Sequence, residues 1–121
     1  MPIVTIEAVN IKDESAVRPM LSEIQRIGAR ALNCSESNIW VVFKPLEPDF
    51  YIQAPGEIWN EQAVMVTIKA QTGRTKDAKN AFVKGIAEAI ATTLFISSKK
   101  VWIYYQEMNP QDIWFDDRWT S

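Results

Sequence analysis

The sequence contains no histidine. That removes the commonest general base near neutral pH together with the commonest metal ligand, so metal-dependent, Ser-His and Cys-His mechanisms are poor candidates and no cofactor is expected. The single cysteine, Cys34, excludes an internal disulfide and fits a reducing compartment. Its place at a helix-to-strand junction reads as that of a small packed residue rather than a nucleophile. Lys and Arg form no run and the net charge is -2, so the concentrated basic face that nucleic acid requires is missing. No long apolar run or signal-like segment is present, and the expectation is a cytoplasmic protein without a membrane partner. With 47% hydrophobic and 23% charged residues in 121, the chain has enough apolar material for one core without staples, a single domain over 1–121.

What the sequence does contain is a repeat. Displacing it by 62 positions aligns Ile3-Val4-Thr5-Ile6 with Met65-Val66-Thr67-Ile68 and Ile39-Trp40-Val41-Val42 with Val101-Trp102-Ile103-Tyr104, without a gap. Between these anchors Ala16 meets Ala78, Ile24 meets Ile86, Leu32 meets Leu94 and Ser35 meets Ser97. Two segments that hold register this far build the same local structure twice. The repeats are placed at 2–46 and 64–108, with a tail over 109–121.

Each unit reads as strand, helix, strand. Residues 2–9 are short and β-branched, as a strand requires. From about Asp13 to Leu32, apolar residues at Ala16, Val17, Met20, Leu21, Ile24, Ile27, Gly28 and Ala31 recur at spacings of three and four and form one helical face. Asp13 or Ser15 would cap this helix, and Pro19 requires it to begin near Val17 or to be irregular in its first turn. Residues 38–44 are almost wholly apolar, as in a strand covered on both faces. In the second unit, strands over 63–70 and 100–106 flank a helix opened by Thr75-Lys76-Asp77 and ending near Phe95. A helix joining two strands of one sheet makes them parallel. Two such units predict an α+β (α/β) fold, a four-stranded mixed sheet with both helices on one face. Its other face would be covered by oligomerisation. The segment from Pro45 to Gln62 is predicted to hold a short extra strand around Phe50–Gln53. The aromatic tail is expected to pack on the sheet or on another subunit.

The copies differ where chemistry could reside: Pro2 aligns with Val64, Lys12 with Arg74, Val42 with Tyr104. Methionine before so small a residue as proline is normally excised, which would leave Pro2 as a terminal secondary amine. A free α-amino group titrates near ~8, and an apolar surrounding lowers that value towards neutrality, where the amine serves as a general base.

The second unit, with Gly73-Arg74-Thr75-Lys76-Asp77, a helix and then Val101-Trp102-Ile103-Tyr104-Tyr105-Gln106-Glu107-Met108, is similar to the 4-oxalocrotonate tautomerase pattern of strand, Gly-Arg-Ser/Thr, helix, strand, Glu-Met. Together with Pro2 it identifies a resemblance, over about residues 2–110, to the tautomerase superfamily and its macrophage migration inhibitory factor-like fold. The fused two-unit length and the Trp-x-Tyr…Glu-Met stretch most resemble relatives of cis-3-chloroacrylic acid dehalogenase. The resemblance implies Pro2 as catalytic amine, Arg74 as the group binding a substrate carboxylate, Tyr104 as a catalytic assistant and a homotrimer as the assembly. Guanidinium matches carboxylate with a planar fork. Gln71 or Tyr104 would hydrogen-bond the developing oxyanion, Trp114 or Phe115 would close the pocket, and Lys12 is a candidate second cation.

The sequence also departs from the dehalogenases. Gln71 stands where they have a second arginine, Ala29 near the place of their histidine, and Phe115 near that of their water-activating glutamate, with Asp112 and Asp116 as approximate substitutes. What remains is the minimum for tautomerisation of small enol or 2-oxo carboxylic acids. Two alternatives stay open: a hydratase, dehalogenase or decarboxylase of a small unsaturated acid, and a non-enzymatic oligomeric ligand-binding protein.

Overall fold

The computed structural model describes residues 2–9, 11–52 and 64–121. Strand β1 (Ile3–Ala8), helix α1 (Val17–Leu32) and strand β2 (Trp40–Pro45) form the first unit, and β3 (Val64–Gln71), α2 (Lys76–Leu94) and β4 (Val101–Met108) the second. The repeat extends to the ends of the helices. Asn33 and Phe95, 62 positions apart, terminate α1 and α2 in the left-handed conformation with φ of 53° and 58°. Two residues later Ser35 and Ser97 cap the 3-10 turns Glu36–Asn38 and Ser98–Lys100 that lead into β2 and β4.

The strands form one sheet in the order β2-β1-β3-β4. β1 and β2 are parallel, as are β3 and β4, and the units join through antiparallel pairing of β1 with β3. This is the mixed four-stranded sheet with two helices that the repeat predicts. Period-two alternation directs Val4, Ile6, Ala8, Val66, Ile68 and Ala70 to the helices, where they are buried against Met20 and Ile24 of α1 and Phe82, Ile86 and Ile90 of α2. Each large apolar side chain so enclosed contributes about 1.5–3 kcal/mol, so this interface is the principal stabilising element of the chain.

α1 accommodates Pro19 as its third residue, in the first turn, where a backbone N–H has no intrahelical partner. A 3-10 turn, Glu14–Ala16, precedes it, with the Asp13 carboxylate accepting the Ser15 N–H at 3.0 Å. The irregular first turn and the α-helical start at Val17 are thus both present.

One expectation is corrected. No strand begins at Phe50: Pro48–Phe50 is a 3-10 turn in which the Phe50 and Tyr51 N–H groups donate to Glu47 and Pro48 carbonyls at 2.9 and 3.3 Å. Those donors are used locally and cannot pair with a strand. Tyr51 and Ile52 have no regular structure, and Gln53 lies outside the described residues. As expected of a sheet with both helices on one face, β2 is covered on one side only within the chain: Val41 and Phe43 pack on the core, whereas Trp40 and Val42 are exposed on the face opposite the helices.

The helices approach closely at Gly28, where a Cβ would collide with the Ile39 side chain and lie 2.9 Å from the Phe82 ring. Both neighbours are fully buried and cannot swing away. Gly28→Val is therefore expected to lose about 2 kcal/mol in urea unfolding. Phe95 presents the opposite case, a bulky exposed side chain in a left-handed backbone. Phe95→Gly relieves that strain, and a gain of about 1 kcal/mol is expected in the same assay.

Candidate active site

Antiparallel pairing places the beginning of β1 beside the end of β3, with Ile3 opposite Lys69. One further step sets Pro2 next to Ala70, with Gln71 and then Arg74 immediately beyond. Pro2 continues the buried even-numbered series of β1 and is itself fully buried. Its carbonyl accepts the Trp40 N–H at 3.1 Å, which fixes the start of β1 to that of β2. A secondary amine at this position would lie among apolar groups, the surroundings that disfavour an ammonium.

Arg74 is presented by a turn rather than by a strand. Gly73 has φ of +108°, which favours glycine strongly, and Thr75 then caps α2 by accepting the Ala78 N–H at 3.1 Å. The guanidinium is part-buried and donates through Nη1 to the Gln71 carbonyl at 3.1 Å. Among the described residues no carboxylate forms an ion pair with it. Its remaining N–H groups therefore retain the fork geometry suited to an external carboxylate.

A second cluster adjoins Arg74 between α2 and β4. Lys79 pairs with Glu107 at 2.6 Å and lies 4.7 Å from the centre of the Tyr105 ring. The Tyr105 hydroxyl is buried without a hydrogen-bond partner. Burial raises the Tyr105 pKa, while the positive charges of Arg74 and Lys79 oppose that rise. The Lys79 pKa is raised, chiefly by its hydrogen bond to Glu107. None of Lys79, Tyr105 and Glu107 stands out in the sequence as a site residue, because what unites them is a contact between positions 28 residues apart.

The tail forms a small hairpin. Strands β5 (Trp114–Phe115) and β6 (Arg118–Trp119) are antiparallel. The two residues joining them, Asp116 and Asp117, have φ of 57° and 60°, as in the tight turns that match strand twist. Thr120 secures the hairpin base through its hydroxyl to the Pro110 carbonyl at 2.6 Å. Trp114 and Trp119 meet edge to face at 5.2 Å. Phe115 meets Trp40 in the same manner at 6.0 Å, so the tail reaches from β4 to β2 and packs on the sheet of its own chain. Trp40 was not a sequence candidate. Its signal was the repeat itself, which aligns it with Trp102, but its proximity to Pro2 depends on strand register.

The structure thus brings Pro2, Gln71, Arg74 and Phe115 to one end of the sheet and leaves other candidates elsewhere. Tyr104 pairs with Thr67, which pairs with Thr5. It therefore stands about 14 Å from Pro2 by ordinary strand spacings, exposed on the face opposite the helices. Within one chain it does not reach Pro2. Lys12 follows β1 at the far end of the sheet, roughly 20 Å from Pro2, and within one chain does not reach it. Asp116 occupies the hairpin turn 3.9 Å from Arg118, and Asp112 is exposed in the 3-10 turn Pro110–Asp112. Among the described residues no group of carboxylates and cysteine is arranged to hold a metal ion, and no helix is long and apolar enough to cross a membrane. A concavity of about 680 Å³ between α1 and α2, lined by Ile27, Arg30, Gly85 and Glu88 among others, contains none of the candidate residues.

These features define a tautomerase-type architecture, and the solved structures that match it have the same fold. Fused 4-OT, solved as a symmetric trimer, superposes with a TM-score of 0.83 at 13% identity, over 96% of this chain and 93% of that one. N1, a member of the cis-3-chloroacrylic acid dehalogenase family, gives 0.80 at 15% identity over 97% and 82%. Malonate semialdehyde decarboxylase gives 0.72 at 14% over 93% and 89%. No sequence match is found among curated proteins. The family model described as "Tautomerase enzyme" matches residues 39–115; the chain belongs to that family.

Nothing lies within 4 Å of the place a Cβ would take on Gly73, so substitution there tests backbone conformation alone. Gly73→Ala is expected to cost about 1–2 kcal/mol and to disturb the turn that carries Arg74. Chemical unfolding would report the first effect, and amide shifts confined to residues 71–78 the second.

Proposed function

We propose that this protein is a cofactor-independent tautomerase of small enol or 2-oxo carboxylic acids, with the Pro2 nitrogen, freed by loss of Met1, as its general base. The observation that carries this reading is the register of β1 against β3, which sets the buried Pro2 beside the turn bearing Arg74. The neutral amine takes the enol O–H proton, and the C–O bond becomes a carbonyl as the C=C pair moves to carbon. That carbon then receives a proton from the ammonium. The amine returns to its neutral form, and substrate and product differ only in where one hydrogen resides. Arg74 holds the carboxylate bidentately. To the Gln71 side chain, one residue beyond Ala70, we assign a hydrogen bond to the oxygen on which charge develops. Phe115 and Trp40 supply an aromatic wall that suits an aryl enolpyruvate, and Trp114 supports the hairpin from which Phe115 projects.

Tyr104 would serve the site of a neighbouring copy. The open face, with Trp40, Val42, Trp102 and Tyr104 exposed, is the surface we assign to assembly of a homotrimer. Fused 4-OT, which has the same fold, was solved as a trimer. Light scattering is expected to give three times the chain mass of 13.8 kDa; a monomer would remove Tyr104 from the mechanism.

Water addition is the weaker reading, because Asp116 is beside Arg118 at the hairpin turn and Asp112 is exposed. The test is ultraviolet-monitored ketonisation of phenylenolpyruvate by protein whose intact mass shows loss of Met1. Pro2→Ala is expected to lower kcat by 10²-fold or more, in line with removal of a general base. Arg74→Ala is expected chiefly to raise KM. Wild-type protein that lacks Met1 and does not accelerate ketonisation would refute the tautomerase assignment. Trp40→Ala tests the aromatic wall: KM for phenylenolpyruvate should rise about tenfold, as loss of a 1–3 kcal/mol apolar contact implies, with little change for an alkyl enol acid.

A further inference from the structure

We propose that Lys79 is a positioning residue that keeps Arg74 available for substrate by occupying Glu107, the carboxylate otherwise placed to capture the guanidinium. The inference rests on the reading of Arg74 as the carboxylate-binding group.

Glu107 lies on β4 opposite Ala70, and its neighbour Met108 lies opposite Gln71. Gln71 is the residue whose carbonyl accepts the Arg74 Nη1–H at 3.1 Å. The carboxylate therefore projects from the strand adjacent to the one whose end holds the guanidinium. Period-two alternation directs Glu107 to the same side of the sheet as Tyr105. Arg74, Lys79 and Glu107 are all close enough to the Tyr105 hydroxyl to act on its charge. An arginine and a carboxylate in one such neighbourhood ordinarily form a bidentate pair, and that pair would occupy the fork the substrate needs.

They form no pair here. Lys79, in the first turn of α2, takes Glu107 at 2.6 Å and lies against the face of the Tyr105 ring at 4.7 Å. The two contacts suit an ammonium in different ways. The carboxylate provides the counter-charge, and the ring provides a surface that holds the cation over it. α2 begins at Lys76 after its Thr75 cap, so the register that places Arg74 one residue before the cap also places Lys79 four residues after it. The turn that presents the guanidinium and the side chain that removes its competitor are thus built from one segment. The net effect is a division of labour between two cations: one neutralises the internal carboxylate, and the other is left with a backbone carbonyl as its protein partner.

The decisive comparison is wild type, Lys79→Met, Lys79→Arg and the double variant Lys79→Met/Glu107→Gln, each with Met1 removed and its fold verified by circular dichroism. The Arg74 Nε–Hε resonance, assigned through loss of its peak in Arg74→Lys, reports capture of the guanidinium without reference to any substrate. It is expected to move in Lys79→Met and to return near its original position in the double variant and in Lys79→Arg. KM for phenylenolpyruvate should follow the same order. It should rise about tenfold in Lys79→Met, the scale of one charge-assisted hydrogen bond, with kcat within about twofold, and recover in the other two. An Arg74 resonance unmoved by Lys79→Met overturns the proposal, as does a displaced resonance that the double variant fails to restore. Absence of ketonisation in wild type together with the expected resonance pattern would refute the tautomerase reading while leaving the partition between Lys79 and Arg74 intact.

Discussion

β1 and β3 run antiparallel through the centre of the sheet, with Ile3 opposite Lys69 and Glu7 opposite Met65. The other pairings in that sheet are parallel and lie within a unit. Because the central pairing reverses direction, the beginning of one unit's first strand adjoins the end of the other unit's first strand. A parallel junction would have put Pro2 beside Val64 and left Arg74 at the opposite end. The orientation of the two halves, rather than any single side chain, therefore brings an amine candidate and a cation to one end of the sheet.

The hydrophobic pattern that stabilises the junction also limits what can be placed there. Residues 2, 4, 6 and 8 of the first strand point into the core, and their burial is complete or nearly so. A polar group of ordinary length at position 2 would be enclosed with few partners, which is costly. Proline is small, apolar in its ring and without a donor once it is within a peptide, so it satisfies the core requirement, and the proposed mechanism asks of it only its nitrogen. Packing and the proposed chemistry make compatible demands on this residue. On the opposite face, alternation exposes Trp40, Val42, Trp102 and Tyr104, the patch assigned above to assembly.

Much of the fold was legible because it is encoded locally and twice. Spacings of three and four identified the buried side of α1, with Met20, Ile24 and Gly28 innermost, and the constant offset of 62 fixed both units in one register. Pro2 and Arg74 were legible as candidates by resemblance, and Phe115 as an aromatic of the tail able to close a pocket. Their convergence was not, since it depends on strand pairing between distant segments. The same limitation explains Lys12, which the repeat equates with Arg74 but which the reversal of the central strands carries to the other end. It explains Tyr104 as well, whose strand was recognised although its separation from Pro2 depends on pairings across three strands. The hairpin of the tail gave little warning, because Asp116-Asp117 is a weak form of a turn that usually carries glycine or asparagine. The strand expected at Phe50 failed because Pro48 starts a 3-10 turn that uses the adjacent N–H groups.

The two-fold likeness of the units gives the sheet two ends of similar backbone, one at Pro2 and one at Val64. Val64 is joined by a peptide bond to Ala63, so of the two only Pro2 is a candidate for the terminal amine of the proposed mechanism. Fusion of two units into one chain thus halves the number of such amines in an assembly of given size. On the proposed mechanism proton transfer falls to the Pro2 end alone, and the residues at the Val64 end are free to serve stability, assembly or a binding task of their own.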